Sequence, residues 1–211
     1  MDLLEYQAKE ILSNNRIPVP ESKLIQMVSD LKGIVYPVFL KAQIPVGGRG
    51  KVGAVRLASN HVEAEQITAE LLGTKVKGYT VNTLLAEAAA DIKREIYMCC
   101  INNKENNSPM LIVSKKGGVD IELLASESPE KIIYKCIDPF VGLMEYDIRD
   151  LAAQLGIPFN KEFISTVKGI WNILRTQDAT LVEINPLAFT DNGLLALDGK
   201  IILDDNAEFR N

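Results

Sequence analysis

Lys41 stands near the end of an apolar run, YPVFLKAQI over residues 36–44, and the glycine-rich stretch GGRGKVG follows over 47–53. A lysine at the end of a buried strand presents a fixed cation. Gly47, Gly48, Gly50 and Gly53 would leave backbone amides free of Cβ obstruction, which is what a polyphosphate needs from a loop. Arg49 and Lys51 are expected to add mobile positive charge. The stretch matches neither G-x-x-x-x-G-K-[ST] nor a G-x-G-x-x-G that opens a helix, because AVRLA reads as a strand directly after it. On spacing alone, phosphate binding and an ordinary flexible hairpin are both open.

A second constellation lies near the C-terminus, in TLVEINPLAFTDNGLLALDGKIIL. Asp191, Asn192 and Gly193 form a strong hairpin signal, so this segment is expected to be two strands joined by a tight turn. Antiparallel pairing about that turn puts residues whose numbers sum to about 384 opposite one another, which brings Asn185 and Asp198 together to within a residue or two. An amide oxygen beside a carboxylate suits a hard cation, and magnesium on a nucleotide takes only one or two protein oxygens. Alternation puts Glu183 on the face of Asn185, and Lys200 on the face of Asp198. The alternative is a solvated sheet face with cross-strand hydrogen bonds.

In TLLAEAAADIKRE, Glu87 interrupts an apolar run and Glu95 follows eight residues later. Either carboxylate could hold a ribose hydroxyl or an amino group, or simply pair with Arg94 or Lys93. The stretch KKGGVDIE over 115–122 is a functional loop or only a turn, and no role is assigned to it. His61 begins a polar helix and reads as a surface residue. Neither G-x-S-x-G, H-E-x-x-H nor C-x-x-C occurs, which leaves serine hydrolase, zinc protease and thioredoxin chemistry without support.

These groups must be held by a regular scaffold, and the chain has the composition for one: 211 residues, 47% hydrophobic and 24% charged. The net charge of −5 argues against a broad nucleic-acid surface, so any anion site is local. Cys99, Cys100 and Cys136 give neither a disulfide framework nor a zinc spacing, and all three read as buried reduced thiols. The N-terminus lacks the basic start and apolar centre of a signal peptide, and no window reaches a membrane span. A cytoplasmic protein is expected, or one of the mitochondrial matrix where a transit peptide has been removed.

Leu4, Ala8, Ile11 and Leu12 share one face of a first helix, with Asp2 and Glu5 as its capping box and Ser13–Asn15 as its stop. HVEAEQITAELLG is a helix turning Val62, Ile67 and Leu71 inward before Gly73. Two or three strands fill Thr83–Val113, with a polar hairpin loop over 102–109. Residues 145–155 are helical up to Gly156. Asn160 then opens the most regular helix, in which Phe163, Ile164, Val167, Ile170, Trp171 and Leu174 keep a 3.6-residue period and Trp171 packs into the core.

The blocks LLEYQAKEIL, LKAQIPVGGRGKVG, LLAEAAADIKREIY, KGGVDIE, LVEINPLAFTDNGLLALDGK and DDNAEFR, taken in order, resemble the N-terminal region of succinyl-CoA synthetase beta subunits across essentially the whole chain. The resemblance implies an α/β (α+β) ATP-grasp fold in which two α/β subdomains grip a nucleotide, with a smaller subdomain inserted at about 20–100. It implies nucleotide contacts from Lys41, Gly48, Arg49, Gly50, Glu87, Ala90 and Glu95, the family often carrying threonine where this chain has Ala90. It implies magnesium on Asn185 and Asp198, and Glu183 as the carboxylate that steadies a phosphohistidine brought in by the alpha subunit. ATP, or GTP, would phosphorylate that histidine, and succinyl-CoA would then form from succinate and CoA in the tricarboxylic acid cycle. The CoA site would lie on the alpha subunit, and the flavodoxin-like domain of family beta subunits is not expected within this sequence. Malate-CoA ligase, ADP-forming acetate-CoA ligase and ATP-citrate lyase share the nucleotide region. A nucleotide- or partner-binding module without turnover is the reading of another class.

Overall fold

The structure, a computed structural model, describes residues 1–103 and 108–210. In chain order the elements are α1 (Glu5–Asn14), β1 (Ser22–Ile25), β2 (Val38–Ala42), β3 (Val55–Ala58), α2 (His61–Leu71), β4 (Lys75–Val76), β5 (Tyr79–Thr80) and β6 (Leu84–Ala88). They continue with β7 (Arg94–Asn103), β8 (Ser108–Ser114), α3 (Ile121–Glu127), β9 (Ile132–Cys136), α4 (Glu145–Leu155), α5 (Lys161–Thr176), β10 (Ala179–Thr190), β11 (Gly193–Ala196) and β12 (Gly199–Leu203). Residues 104–107, within the hairpin loop expected between β7 and β8, lie outside the described residues. Among the described residues no helix is long and apolar enough to cross a membrane.

The chain divides into two compact units, Pro20–Ala90 and the remainder. The segment expected at about 20–100 runs further than the first of these, because Arg94 already begins a strand of the other unit's sheet.

The Pro20–Ala90 unit is a four-stranded antiparallel sheet in the order β1-β6-β2-β3, with a separate β4-β5 ribbon. Alternation along β2 and β6 sends Val38, Leu40, Ala42, Leu84 and Ala86 into an apolar core that also takes Ala64 and Leu71 of α2. Phe39, Lys41, Leu85 and Glu87 therefore share the opposite face. Asn60 caps α2 by accepting from the Glu63 amide at 3.0 Å, and Glu63 accepts in return from the Ser59 amide at 2.8 Å. The inward stripe of α2 is Ala64, Thr68 and Leu71, which leaves Val62 exposed, contrary to expectation. The helix is rotated toward its small residues, which let it lie close to the sheet.

The other unit is built on a six-stranded antiparallel sheet in the order β11-β10-β7-β8-β9, with β12 also on β10. One face carries Ile96, Met98, Cys100, Leu111, Val113, Val182, Ile184 and Ile201 into a core closed by α1, α4 and α5. Helix α5 supplies Phe163, Val167, Ile170, Ile173 and Leu174, and the Phe163 amide donates to Asn160 Oδ1 at 2.9 Å. Trp171 packs half-buried against this core. Gly156, in the left-handed conformation, ends α4. The cap of α1 differs from the expected one. Asp2 is held in a bridge to Ile202, Glu5 is buried in an ion pair with Lys9 at 2.8 Å, and Gln7 Oε1 accepts from the Leu4 amide instead.

Two further expectations are corrected. The C-terminal segment forms three strands rather than two, because β11 and β12 lie end to end along β10 with Leu197 and Asp198 between them. Cys99 and Cys100 are buried as anticipated, but Cys136 is exposed, being on the face of the edge strand β9 that the core does not cover.

Candidate functional site

In the Pro20–Ala90 unit the pleat sets Lys41 diagonally across from Glu87, and its ammonium lies 2.6 Å from Glu87 Oε1. Both side chains are buried. The carboxylate thus fixes the ammonium in place. The partners expected for Glu87, Arg94 and Lys93, are engaged elsewhere: Arg94 donates to the carbonyls of Leu155 at 2.6 Å and Gly156 at 3.0 Å, and Lys93 pairs with Asp191.

The loop after β2 is pinned rather than loose. The Ala42 amide donates to the Ala54 carbonyl at 2.8 Å, and the Ala54 amide to the Arg49 carbonyl at 3.0 Å. Gly50–Val52 forms a 3-10 turn, and Lys77 Nζ donates to the Gly47 carbonyl at 2.6 Å. Gly48 takes a left-handed backbone at φ +68°. Arg49 is not the mobile charge expected from its neighbours. It is buried, and its Nη1 donates to the Ala42 carbonyl at 3.2 Å, so the guanidinium ties the loop to the strand before it. Ala90, at the end of this unit, has only a methyl side chain, so its backbone is the part that could meet a ligand.

In the other unit the register of β10 is the key feature. The Thr190↔Gly193 and Glu183↔Lys200 pairs lie one residue from the expected register. Within it the Asn185 backbone N–H donates to the Asp198 backbone carbonyl at 3.2 Å. Against β7 the register of β10 shifts between Ile184 and Leu187, so Asn185 and Pro186 together oppose a single residue. This is a β-bulge, and proline, having no N–H for the ladder, suits it. The burial pattern records the same shift: Val182, Ile184 and then Leu187 face the core. Asn185 stays on the side of Glu183, away from the core, and the bulge resets the alternation after it so that Leu187 faces inward.

The Asn185 amide is held at both ends. Its Oδ1 accepts from the Gly118 amide at 2.8 Å, and its Nδ2 donates to the Val119 carbonyl at 2.9 Å and, at 3.5 Å, to Glu183 Oε1. Glu183 lies between Cys99 and Lys200 across the sheet. Desolvation raises its pKa most, Lys200 opposes this, and the carboxylates of Glu122 and Asp198 add to the rise. Burial and the Glu183 charge push the Cys99 thiol up to about 12, which keeps it protonated.

Glu95 lines an open groove of about 470 Å3 with Lys93, Arg94, Lys115, Lys116 and Gly117. No ion pair reaches Glu95 among the described residues. His61 is an exposed residue, as its sequence setting suggested, but it is not without neighbours: Tyr36 Oη lies 3.0 Å from its Nδ1 and Glu65 3.4 Å from its Nε2.

Asn185 Oδ1 and the Asp198 carboxylate are hard oxygen donors, which fits magnesium and not a soft metal. Among the described residues no group of three or more His, Cys, Asp or Glu gathers as a metal cage. A cation here would therefore draw its remaining ligands from phosphate oxygens and water, as magnesium on nucleotides does. The residues present fit that ion. The Gly117–Val119 turn, which orients Asn185, was not assigned a role from sequence. The paired glycines were the signal that could have found it.

The sequence profile of the ATP-grasp domain matches residues 2–189. Over the whole chain the sequence is 41% identical to an ADP-forming succinate–CoA ligase subunit beta from Ignicoccus hospitalis, covering 58% of that protein. It is also 41% identical to a GDP-forming succinate–CoA ligase subunit beta from Thermus thermophilus, covering 57% of it. The chain thus spans a little under three fifths of the length of these relatives. Among solved structures, a dinucleotide forming acetyl-coenzyme A synthetase from Ca. Korarchaeum cryptofilum shares its fold, at TM-score 0.71 and 21% identity over 96% of this chain and 93% of that one. That structure is described as a complex with coenzyme A and Mg-AMPPCP, its phosphohistidine segment pointing towards the nucleotide binding site.

Proposed function

Since the chain belongs to the ATP-grasp family, we propose that it is the nucleotide-binding part of the beta subunit of an ADP-forming succinate–CoA ligase, and that it phosphorylates a histidine of an alpha subunit. The observation that carries this reading is the bulged hairpin in which Asn185 and Asp198 stand opposite each other, the Asn185 backbone N–H donating to the Asp198 backbone carbonyl.

In this reading Lys41, steadied by Glu87, and the backbone of Gly48, Arg49 and Gly50 take the phosphates. Glu87, Ala90 through its backbone, and Glu95 take the remaining polar groups of ATP. Asn185 and Asp198 would hold magnesium, which supplies charge neutralisation on the transferring phosphates. Phosphoryl transfer asks a protein mainly for positioning and for charge that is already in place, and a pinned loop with a buried, oriented ammonium provides both. Glu183 faces the incoming histidine. Its carboxylate would accept a hydrogen bond from that imidazole's N–H, with Lys200 across the strand as the neighbouring cation. The phosphohistidine segment named for the acetyl-coenzyme A synthetase structure, and the word beta in the relatives' names, support an alpha subunit as partner. Succinate and CoA are named in the same relatives, and the tricarboxylic acid cycle is the setting that the family resemblance implies.

Calorimetric titration of the chain with ATP, with and without magnesium, tests the metal site. Asp198→Asn removes the only formal charge of the pair while keeping its shape. It should weaken Mg-ATP at least tenfold and leave ATP in EDTA within about twofold of wild type. An unchanged magnesium dependence would place the ion elsewhere and refute the reading.

A further inference from the structure

We infer that the Gly117–Val119 turn is the positioning element of the metal site: its backbone clamps the Asn185 amide so that the oxygen, and not the nitrogen, is the end offered to a cation. This rests on the reading of Asn185 as a magnesium ligand.

An asparagine amide is nearly symmetric in shape, and either end can face a site. Only one end ligates a metal. Here the choice is made by groups whose roles are fixed, because a backbone N–H can only donate and a backbone carbonyl can only accept. The Gly118 amide requires an oxygen at 2.8 Å, and the Val119 carbonyl requires an N–H at 2.9 Å. The second lone pair of Oδ1 is left for the ion.

The turn is built to stay where it is. At its start the Lys116 amide donates to Ser114 Oγ at 3.2 Å, and at its end Asp120 Oδ1 accepts from the Leu123 amide at 3.3 Å. Between these anchors it lies flat on β7. A Cβ at position 117 would meet the Ile96 carbonyl oxygen at 2.7 Å and the Ile96 nitrogen at 2.9 Å, which are backbone atoms that cannot step aside. Gly118 has φ +67°, a conformation that β-branched residues avoid and asparagine tolerates. Both glycines are thus needed to bring two adjacent backbone groups to one side chain 66 to 67 positions away.

The test compares Gly118→Asn with Gly118→Val in the full chain. Each adds a Cβ 3.2 Å from Glu95 Oε2, and the two differ in their tolerance of the left-handed backbone and in the polarity of the side chain beyond the Cβ. Mn2+ binding to the chain with ATP, followed by the loss of free-ion EPR signal, should weaken at least tenfold in Gly118→Val and stay within about threefold of wild type in Gly118→Asn. ATP affinity in EDTA should be alike in both. Equal Mn2+ affinity in the two variants overturns the inference. Amide exchange of the folded wild type gives a second reading that needs no glycine variant. The exposed Gly118 amide should be protected, and the protection should vanish in Asn185→Ala; exchange at the open-loop rate in wild type overturns the clamp. Asn185→Ala should also lose Mn2+ binding. If it keeps wild-type Mn2+ affinity while Gly118 is protected, the clamp exists but the ligand assignment beneath it is wrong.

Discussion

Replacing Lys41 with methionine removes one member of a buried pair, and its consequences for the fold and for the ligand separate cleanly. The ammonium lies 2.6 Å from Glu87 Oε1, with side-chain exposures of 10% and 2%. Breaking such a buried pair by removing one partner is strongly destabilising, at a cost of about 3–5 kcal/mol. For a chain of 211 residues each kcal/mol moves Tm by about 2–4 °C, so Lys41→Met alone should melt roughly 6–20 °C lower. Adding Glu87→Leu removes the carboxylate as well and sets an apolar side chain beside Phe39 and Leu85. Replacing a whole buried pair by apolar residues is often neutral, so most of the lost stability should return. Affinity for Mg-ATP should not return. A charge-assisted hydrogen bond contributes about 1.5–3 kcal/mol, so Lys41→Met should bind about 10- to 150-fold more weakly, and the double variant, which also loses Glu87, at least as weakly. Calorimetry on the three proteins, with melting followed by circular dichroism, reads both effects. Wild-type ATP affinity in Lys41→Met would refute the phosphate assignment, and an unchanged Tm would refute the buried pair.

Glu183→Gln bears on pH: a carboxylate whose folded pKa is raised makes the native state the stronger proton binder, so stability contributed by the protonated form is lost as pH rises from the ordinary carboxylate range through the raised value. The variant should flatten that slope in denaturant midpoints taken across the window, keep its nucleotide affinity, and slow histidine phosphorylation when a complete alpha–beta complex is assayed. Thiol titration of the native chain should show one fast-reacting cysteine, Cys136, with Cys99 and Cys100 reacting only on unfolding, since burial raises both of their pKa values. Gly169→Ala puts a Cβ 2.7 Å from the Asn15 carbonyl oxygen and 2.8 Å from Ile17 Cγ1, where α5 meets the chain after α1; the overpacking should cost about 1–3 kcal/mol in a denaturant melt despite alanine's better helix propensity.

What the sequence made legible was what short stretches of chain decide. Asn160 as a cap, Gly156 as a stop and the α5 stripe from Phe163 to Leu174 each depend on neighbours within a few turns, and each stands as read. The Asp191–Gly193 turn is as local, and a turn fixes every pair along the hairpin behind it. This is why Asn185 and Asp198 could be set together from residue numbers alone. The misreadings lie where two remote segments settle the matter. The inward face of α2 is chosen by the sheet it rests on, so Val62 turned out where periodicity had turned it in. Arg49 was read by its glycine neighbours, but its partner is a carbonyl seven residues back, on the strand.

The bulge at Asn185–Pro186 shows how the two kinds of information meet at one residue. The local sequence, an asparagine before a proline that has no N–H to give, ensures that the ladder is broken there. It does not say which way the side chain is then aimed. That is decided by the Gly118 amide and the Val119 carbonyl, which are sequence-distant from Asn185 and reach it only because Gly117 lets their turn lie against Ile96. Alternation alone keeps Asn185 on the face of Glu183, with its amide free to present either end. The bulge resets the alternation only after it, and the clamp removes that freedom. Glycines in a loop that itself carries no reactive group are thus required by the site, although only the side chains of Asn185, Asp198 and Glu183 would have drawn attention to it.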